Sequence, residues 1–199
     1  MQLKVPTDQE MKELGERFQP TDEETSYWNA VCERHQNVPK DTYRVAGFLK
    51  GVLENVRERF PSSWTLRRTL FEYAKRLERI GTFQLEGSAP RLRSDIMVNA
   101  ADLYQEADEI IGYLSDYGFR QLESCSGAIH FREEAGLKDE IAQLGLVERV
   151  RGLTEAIFGH NPVYIFDRNE AQQLKRQMAK AVDDVVQIYV PESLNPNSE

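Results

Sequence analysis

Apolar residues at helical spacing are the feature that most constrains the fold of this chain. Between positions 45 and 60, seven apolar side chains recur three or four residues apart: Val45, Phe48, Leu49, Val52, Leu53, Val56 and Phe60. This period places them on one side of an α-helix, whereas a half-buried strand would alternate at every second residue. Similar stripes occupy 66–80, 96–114, 141–157 and 171–188. The sequence therefore predicts an all-α, mainly helical protein.

Start signals for helices recur along the chain. Thr7, Thr21 and Asp167 each precede a glutamate by three residues, the spacing at which side chain and backbone cap one another at a helix start. We therefore expect helices to begin at these three positions. Ser62 and Ser63 indicate the start of a further helix, because a serine side chain accepts a hydrogen bond from the first turn.

One stretch breaks the helical period. Over residues 82–93, apolar and polar side chains alternate on either side of a turn cluster at 87–90. This pattern fits a small β-hairpin, and it also fits an irregular linker. With this interruption as the boundary, we expect an amino-terminal helical region at 1–93, an antiparallel helical bundle at 94–190 and a disordered tail at 191–199.

The second half of the chain has its own expected irregularities. A long helix from Ser94 to Gly118 is predicted to form the spine of the bundle. Residues 119–134 are predicted to be helical with a kink or break at Ser124–Gly127, where small residues cluster. We expect residues 162–166 to be extended.

Composition limits the compartment and the cofactors. The chain has no apolar run of about 18 residues and its amino terminus lacks a signal-peptide pattern, so we expect a cytoplasmic protein without membrane contact. Cys32 and Cys125 form no Cys-x-x-Cys pair and are predicted to be reduced, buried thiols. The three histidines are isolated from one another and no glycine-rich phosphate loop occurs. We therefore predict no metal and no cofactor.

Two polar groupings are weak candidates for catalysis. Cys125 and His130 are five residues apart, which on a helix separates them by about 140° around the axis, so a buried thiol and a surface histidine are the alternative interpretation. Arg151 and His160 would suit a metal-independent nuclease, with histidine as acid or base and arginine against the developing charge. The alternative is that His160, which follows Gly159, caps the end of a helix.

The charge distribution is uneven along the chain. The formal net charge is −8, yet residues 40–93 contain twelve basic and six acidic residues. The candidate binding residues in this segment are Arg67, Arg68, Lys75, Arg76, Arg79, Arg91 and Arg93. The order helix, helix, hairpin resembles winged-helix DNA-binding modules in outline. The alternative is a solvated helix face whose arginines pair with Glu72 and Glu78.

These features favour binding over catalysis. The leading hypothesis is a non-enzymatic regulatory, adaptor or complex-subunit protein that binds a protein partner. A nucleic-acid-binding regulator that uses residues 40–93 is the first alternative, and a metal-independent nuclease or other hydrolase on the carboxy-terminal bundle is the second. Trp28 and Trp64 would either anchor a partner or fill the core.

Overall fold

The computed structural model describes residues 3–85 and 89–158, and within them it contains eight α-helices and one π-helical turn but no strand. The predicted all-α class is therefore confirmed for this part of the chain. The helices are α1 (Asp8–Arg17), α2 (Asp22–Gln36), α3 (Thr42–Arg59), α4 (Trp64–Arg79), α5 (Pro90–Ile111), α6 (Asp116–Glu134), α7 (Lys138–Gln143) and α8 (Leu146–Phe158). The π-helical turn, Ile80–Gln84, directly follows α4.

The first two helices begin where the sequence predicts. The Thr7 side chain accepts a hydrogen bond from the Glu10 amide, and the Glu10 carboxylate accepts one from the Thr7 amide at 2.8 Å. Thr21 and Glu24 form the same reciprocal pair at the start of α2. Each capping box satisfies amides that have no partner within the helix. The third predicted start, Asp167, lies outside the described residues.

The apolar stripe of α3 forms the centre of the first core. Six of its seven side chains are buried, Val56 completely, and Phe48 is partly buried. Residues from α2, α4 and α5 pack against it, and this core cluster contains Val31, Val52, Leu53, Val56, Phe60, Leu66, Leu70 and Ala107. A contiguous core of this kind is the main source of stability for helices of this length.

The helices pack in a continuous series. α4 contacts α3 and α5, α5 contacts α6, and α6 contacts α8. A second core cluster lies among α5, α6, α7 and α8, with Met97, Ala101, Cys125, Phe131 and Leu146 among its members. α5 runs through residue 93, where the sequence predicts a domain boundary, and that division stays a prediction.

The hairpin predicted over 82–93 is not confirmed, because among the described residues of that stretch 82–84 belong to the π-helical turn, 90–93 belong to α5, and none is in a strand. The chain continues from α4 into the π-helical turn because Ile80 and Gly81 are buried and carry the α4 stripe onward. Arg93 donates hydrogen bonds to the carbonyls of Gly81 and Thr82 at 2.9 and 2.7 Å, so an outside donor satisfies backbone groups in the wide turn. Pro90 then starts α5, where a missing amide is harmless. The β-hairpin that forms the wing of a winged-helix module is therefore absent from the described residues of 82–93.

The end of the long helix and the predicted break at Ser124–Gly127 also differ from the prediction. α5 ends at Gly112, whose φ of 75° lies in the left-handed region, and Gly118 instead lies inside α6 against Leu114. α6 runs unbroken through the predicted break at Ser124–Gly127. A Cβ on Gly127 would lie 2.9 Å from Cε of Met97, so the small residues allow α5 and α6 to approach closely.

The stripe predicted at 141–157 is divided between two helices. Gly145, with φ of 60°, separates α7 from α8. The predicted extended piece at 162–166, the last predicted helix and the tail at 191–199 lie outside the described residues. Within the described ranges, no helix combines the length and the apolar composition that a membrane span requires.

Candidate binding surface

Three of the seven predicted binding residues share the outer face of α4. Lys75 and Arg79 each lie within about 20° of Arg68 around the helix axis, because seven and eleven residues are close to two and three full turns. Arg68 and Lys75 are exposed, and Arg79 is half-buried. Glu72 is the carboxylate beside them, 3.7 Å from Arg68. We call Arg68, Lys75 and Arg79 the basic face of α4.

Aromatic rings surround the basic face of α4. The Arg68 guanidinium lies 5.5 Å from the ring centre of Trp28 and 5.6 Å from that of Trp64. The two indoles meet edge to face with centroids 6.1 Å apart, and both are half-buried. The Lys75 ammonium lies 6.0 Å from the ring centre of Phe71. These cation–π contacts hold the cations in place over apolar surface.

Arg67 points away from this face, into the contact among α4, α5 and α6. Its Nε donates to the carbonyl of Ala107 at 3.2 Å, and its Nη2 donates to Oγ of Ser115 at 2.7 Å. The same Nη2 lies 3.8 Å from the buried carboxylate of Asp108, and the guanidinium lies 4.1 Å from the ring centre of Tyr117. Arg67 is therefore a structural residue of the core rather than part of an exposed surface.

The remaining predicted binding residues are spread over other parts of the fold. Arg93 donates to the π-helical turn and lies 3.9 Å from the ring centre of Phe131. Arg91 is exposed and forms an ion pair with Glu140 at 3.2 Å. Arg76 is half-buried, and its Nε is buried without a hydrogen-bond partner among the described residues. The structure does not bring these three arginines onto the basic face of α4.

The sequence does not predict a half-buried acidic cluster that lies between α4, α5 and α6. The Tyr104 hydroxyl donates to the Glu78 carboxylate at 2.9 Å, and Arg120 lies 3.8 Å from the same carboxylate and 3.1 Å from Glu123. Burial raises the pKa of Glu78 to about 7, although the positive charge of Arg120 opposes the shift. Burial also raises the pKa of Glu123. The signal was available, because Glu78 follows the buried Ala74 at helical spacing.

Asp108, one turn after Tyr104 on α5, is a completely buried carboxyl. It accepts hydrogen bonds from Oγ of Ser115 at 2.5 Å and from Nε2 of Gln121 at 3.3 Å. Burial raises its pKa to about 6, although these hydrogen bonds and Arg67 favour the ionised form. The raised pKa values place the ionisation of Glu78 and of Asp108 between mildly acidic and neutral pH. The charge within the contact among α4, α5 and α6 therefore changes over this pH range.

The two cysteines differ in their surroundings. Cys125 is completely buried, and burial raises the pKa of its thiol to about 11, which removes the thiolate needed for nucleophilic attack. His130 is exposed and lies 3.3 Å from Glu134, on the same helix. Cys32 is exposed, so the prediction that both cysteines are buried is wrong for it. The preceding residue, Val31, takes the inward position on α2.

The second predicted catalytic pair is Arg151 and His160, and the structure describes only Arg151. Arg151 lies exposed on α8, and His160 falls outside the described residues. Among the residues that the structure describes, no group of three histidine, cysteine, aspartate or glutamate side chains could hold a metal ion. The catalytic role predicted for this pair stays a prediction.

Comparisons with protein-family models, with curated proteins and with solved structures give no match to this chain. A functional argument therefore depends on its own residues, and the basic face of α4 is the predicted surface on which several candidate residues meet.

Proposed function

We propose that this chain is a binding protein that uses the basic face of α4 to dock an acidic segment of a protein partner. The observation that supports this function is the alignment of Arg68, Lys75 and Arg79 on one outer helix face, where Glu72 lies 3.7 Å from Arg68. A net positive helix face on a chain of net charge −8 attracts acidic surfaces locally, because screening weakens the more distant negative charges.

The aromatic residues beside these cations favour a protein partner over a nucleic acid. Binding of single strands relies on bases that stack on free ring faces. Phe71 is already stacked on Tyr117, with centroids 4.4 Å apart, and the two indoles contact each other and Arg68. Indole and guanidinium groups at the edge of a surface are also the side chains most enriched in protein interfaces.

The test is a fluorescence anisotropy titration of the full chain with a labelled polyglutamate peptide, and separately with duplex DNA, single-stranded DNA and RNA. The variant reverses the basic face of α4 through Arg68→Glu, Lys75→Glu and Arg79→Glu. A matched control reverses three exposed cations elsewhere, Lys12, Lys40 and Arg44, so the net charge changes equally.

We expect peptide binding that is lost in the α4 variant and retained in the control. Nucleic-acid binding with a slope of log affinity on log salt near −2.7, as three phosphate contacts on duplex DNA require, would instead favour the alternative function. Peptide binding that both variants weaken equally would contradict the proposal, because it would reflect net charge alone.

A further inference from the structure

An open polar groove lies between α2 and α3, on residues distinct from the basic face of α4. Its volume is about 470 Å³, within the range of small-molecule sites. The lining consists of Glu23, Ser26, Tyr27, Ala30, Val31, Arg34, Asn55 and Arg59. Two arginines therefore face one groove with a single carboxylate.

Arg59 forms an exposed ion pair at this groove. Its Nε and Nη2 both donate to Oε1 of Glu23, at 3.2 and 2.7 Å. Its guanidinium also lies 5.5 Å from the ring centre of Tyr27 and 5.1 Å from that of Phe60. A guanidinium carries five N–H donors, and Nη1 of Arg59 has no acceptor among the described residues while Nε and Nη2 bind Glu23. The ordering cost of a ligand contact is thereby reduced.

The groove has more hydrogen-bond donors than acceptors. The Tyr27 hydroxyl donates to Oδ1 of Asn55 at 3.1 Å, and the two N–H groups of Asn55 have no hydrogen-bond acceptor in the part of the chain that the structure describes. Among the described residues, Arg34 has no carboxylate within ion-pair distance. Burial raises the pKa of Tyr27, and the charges of Arg59 and Arg34 act against that shift, so both cations are close enough to act on one hydroxyl.

We propose that this groove binds a small ligand through a phosphate group, with Arg34 and Arg59 as the anion clamp and Asn55 and Ser26 as neutral partners. A phosphate offers several acceptor oxygens to a site with unused donors, and guanidinium groups bind it with two parallel hydrogen bonds. Glu23 orients Arg59 but also repels the anion. This site is independent of the function proposed for α4.

The test is an NMR titration of the ¹⁵N-labelled full chain with inorganic phosphate and with pyrophosphate, and with citrate as a carboxylate comparator. We expect saturable shifts of the amides of Ser26, Ala30 and Asn55. Arg34→Gln and Arg59→Gln should each weaken binding about tenfold or more, the loss of one charge-assisted hydrogen bond. Arg44→Gln, an exposed arginine outside the groove, should leave the affinity unchanged.

Glu23→Gln tests whether the negative charge of Glu23 opposes anion binding in the groove. This variant removes the negative charge that repels the anion but keeps an amide oxygen that can accept from Arg59, so a phosphate ligand should bind severalfold more tightly. Three results would each overturn the proposal: no saturable shift at millimolar phosphate or pyrophosphate, equal binding of citrate, or equal weakening by Arg44→Gln and Arg34→Gln.

Discussion

Replacement of Glu78 by glutamine tests whether the buried acid makes stability depend on pH. The carboxyl is largely buried between α4, α5 and α6, where Tyr104 donates to it at 2.9 Å. Burial raises its pKa from 4.5 to about 7, so the folded chain binds a proton that the unfolded chain has released. The folded state therefore loses stability as the pH rises from about 4.5 to about 7, because it binds more protons than the unfolded state there.

The size of this pH effect on the free energy of unfolding follows from the two pKa values of Glu78, 4.5 in the unfolded chain and about 7 in the folded chain. Each pKa unit corresponds to about 1.4 kcal/mol, so the shift from 4.5 to about 7 costs the ionised folded state about 3 kcal/mol. Asp108, with a pKa raised from 3.8 to about 6, acts in the same direction at lower pH. Glutamine mimics the protonated acid in shape and still accepts the Tyr104 hydrogen bond. Glu78→Gln should therefore become more stable relative to the parent as the pH rises, by about 2.5 kcal/mol between pH 5 and pH 8.

Urea unfolding followed by circular dichroism at several pH values measures this difference. Glu58→Gln, which replaces an exposed glutamate on α3, is the matched control and should follow the parent curve. The reasoning fails if the parent is equally stable at pH 5 and pH 8. It also fails if Glu78→Gln and Glu58→Gln change the free energy of unfolding by the same amount at every pH.

Two further predictions concern packing and thiol reactivity. Gly127→Val should destabilise the fold by about 1 kcal/mol, because its Cβ would lie 2.9 Å from the terminal methyl of Met97, a flexible side chain that must move aside. Gly47→Ala, with open space on α3, should stabilise the fold by about 0.5–1 kcal/mol. Urea unfolding measures both, and a Gly127→Val variant more stable than the parent would contradict the contact between Gly127 and Met97. In a thiol titration of the native chain, Cys32 should react at once and Cys125 only after unfolding, so two fast thiols would contradict the burial of Cys125.

Local signals were the reliable part of the sequence prediction. The capping boxes at Thr7 and Thr21 depend only on residues three apart, and the stripe of α3 depends only on period, so neither needs knowledge of the rest of the fold. Where a helix ends depended on tertiary contacts. Gly112 and Gly118 are equally good stops in sequence, yet α5 ends at Gly112 and Gly118 lies in the first turn of α6, where the Leu114 side chain occupies the space that a Cβ would need.

The π-helical turn after α4 could not be predicted because the side chain that donates to its carbonyls, Arg93, lies eleven and twelve residues further along the chain. The alternation at 82–85 resembles a strand, yet the Arg93 side chain satisfies the carbonyls of the π-helical turn. Likewise, the small residues at Ser124–Gly127 weaken an isolated helix but fit the surface of α5. In both places the tertiary contact outweighs the local preference.

The charge asymmetry explains part of the folding of the chain as well as its candidate binding surface. Several arginines of the basic segment pair with carboxylates from the acidic regions that flank it: Arg57 with Glu106, Arg59 with Glu23, Arg67 with Asp108 and Arg91 with Glu140. These pairs join α3, α4 and the start of α5 to α2, to the far end of α5 and to α7. Several positive charges of residues 40–93 therefore form ion pairs within the fold. Counting charges in the sequence could not distinguish the outward cations of α4, Arg68, Lys75 and Arg79, from Arg67. The distinction depends on which side of one helix faces its neighbours.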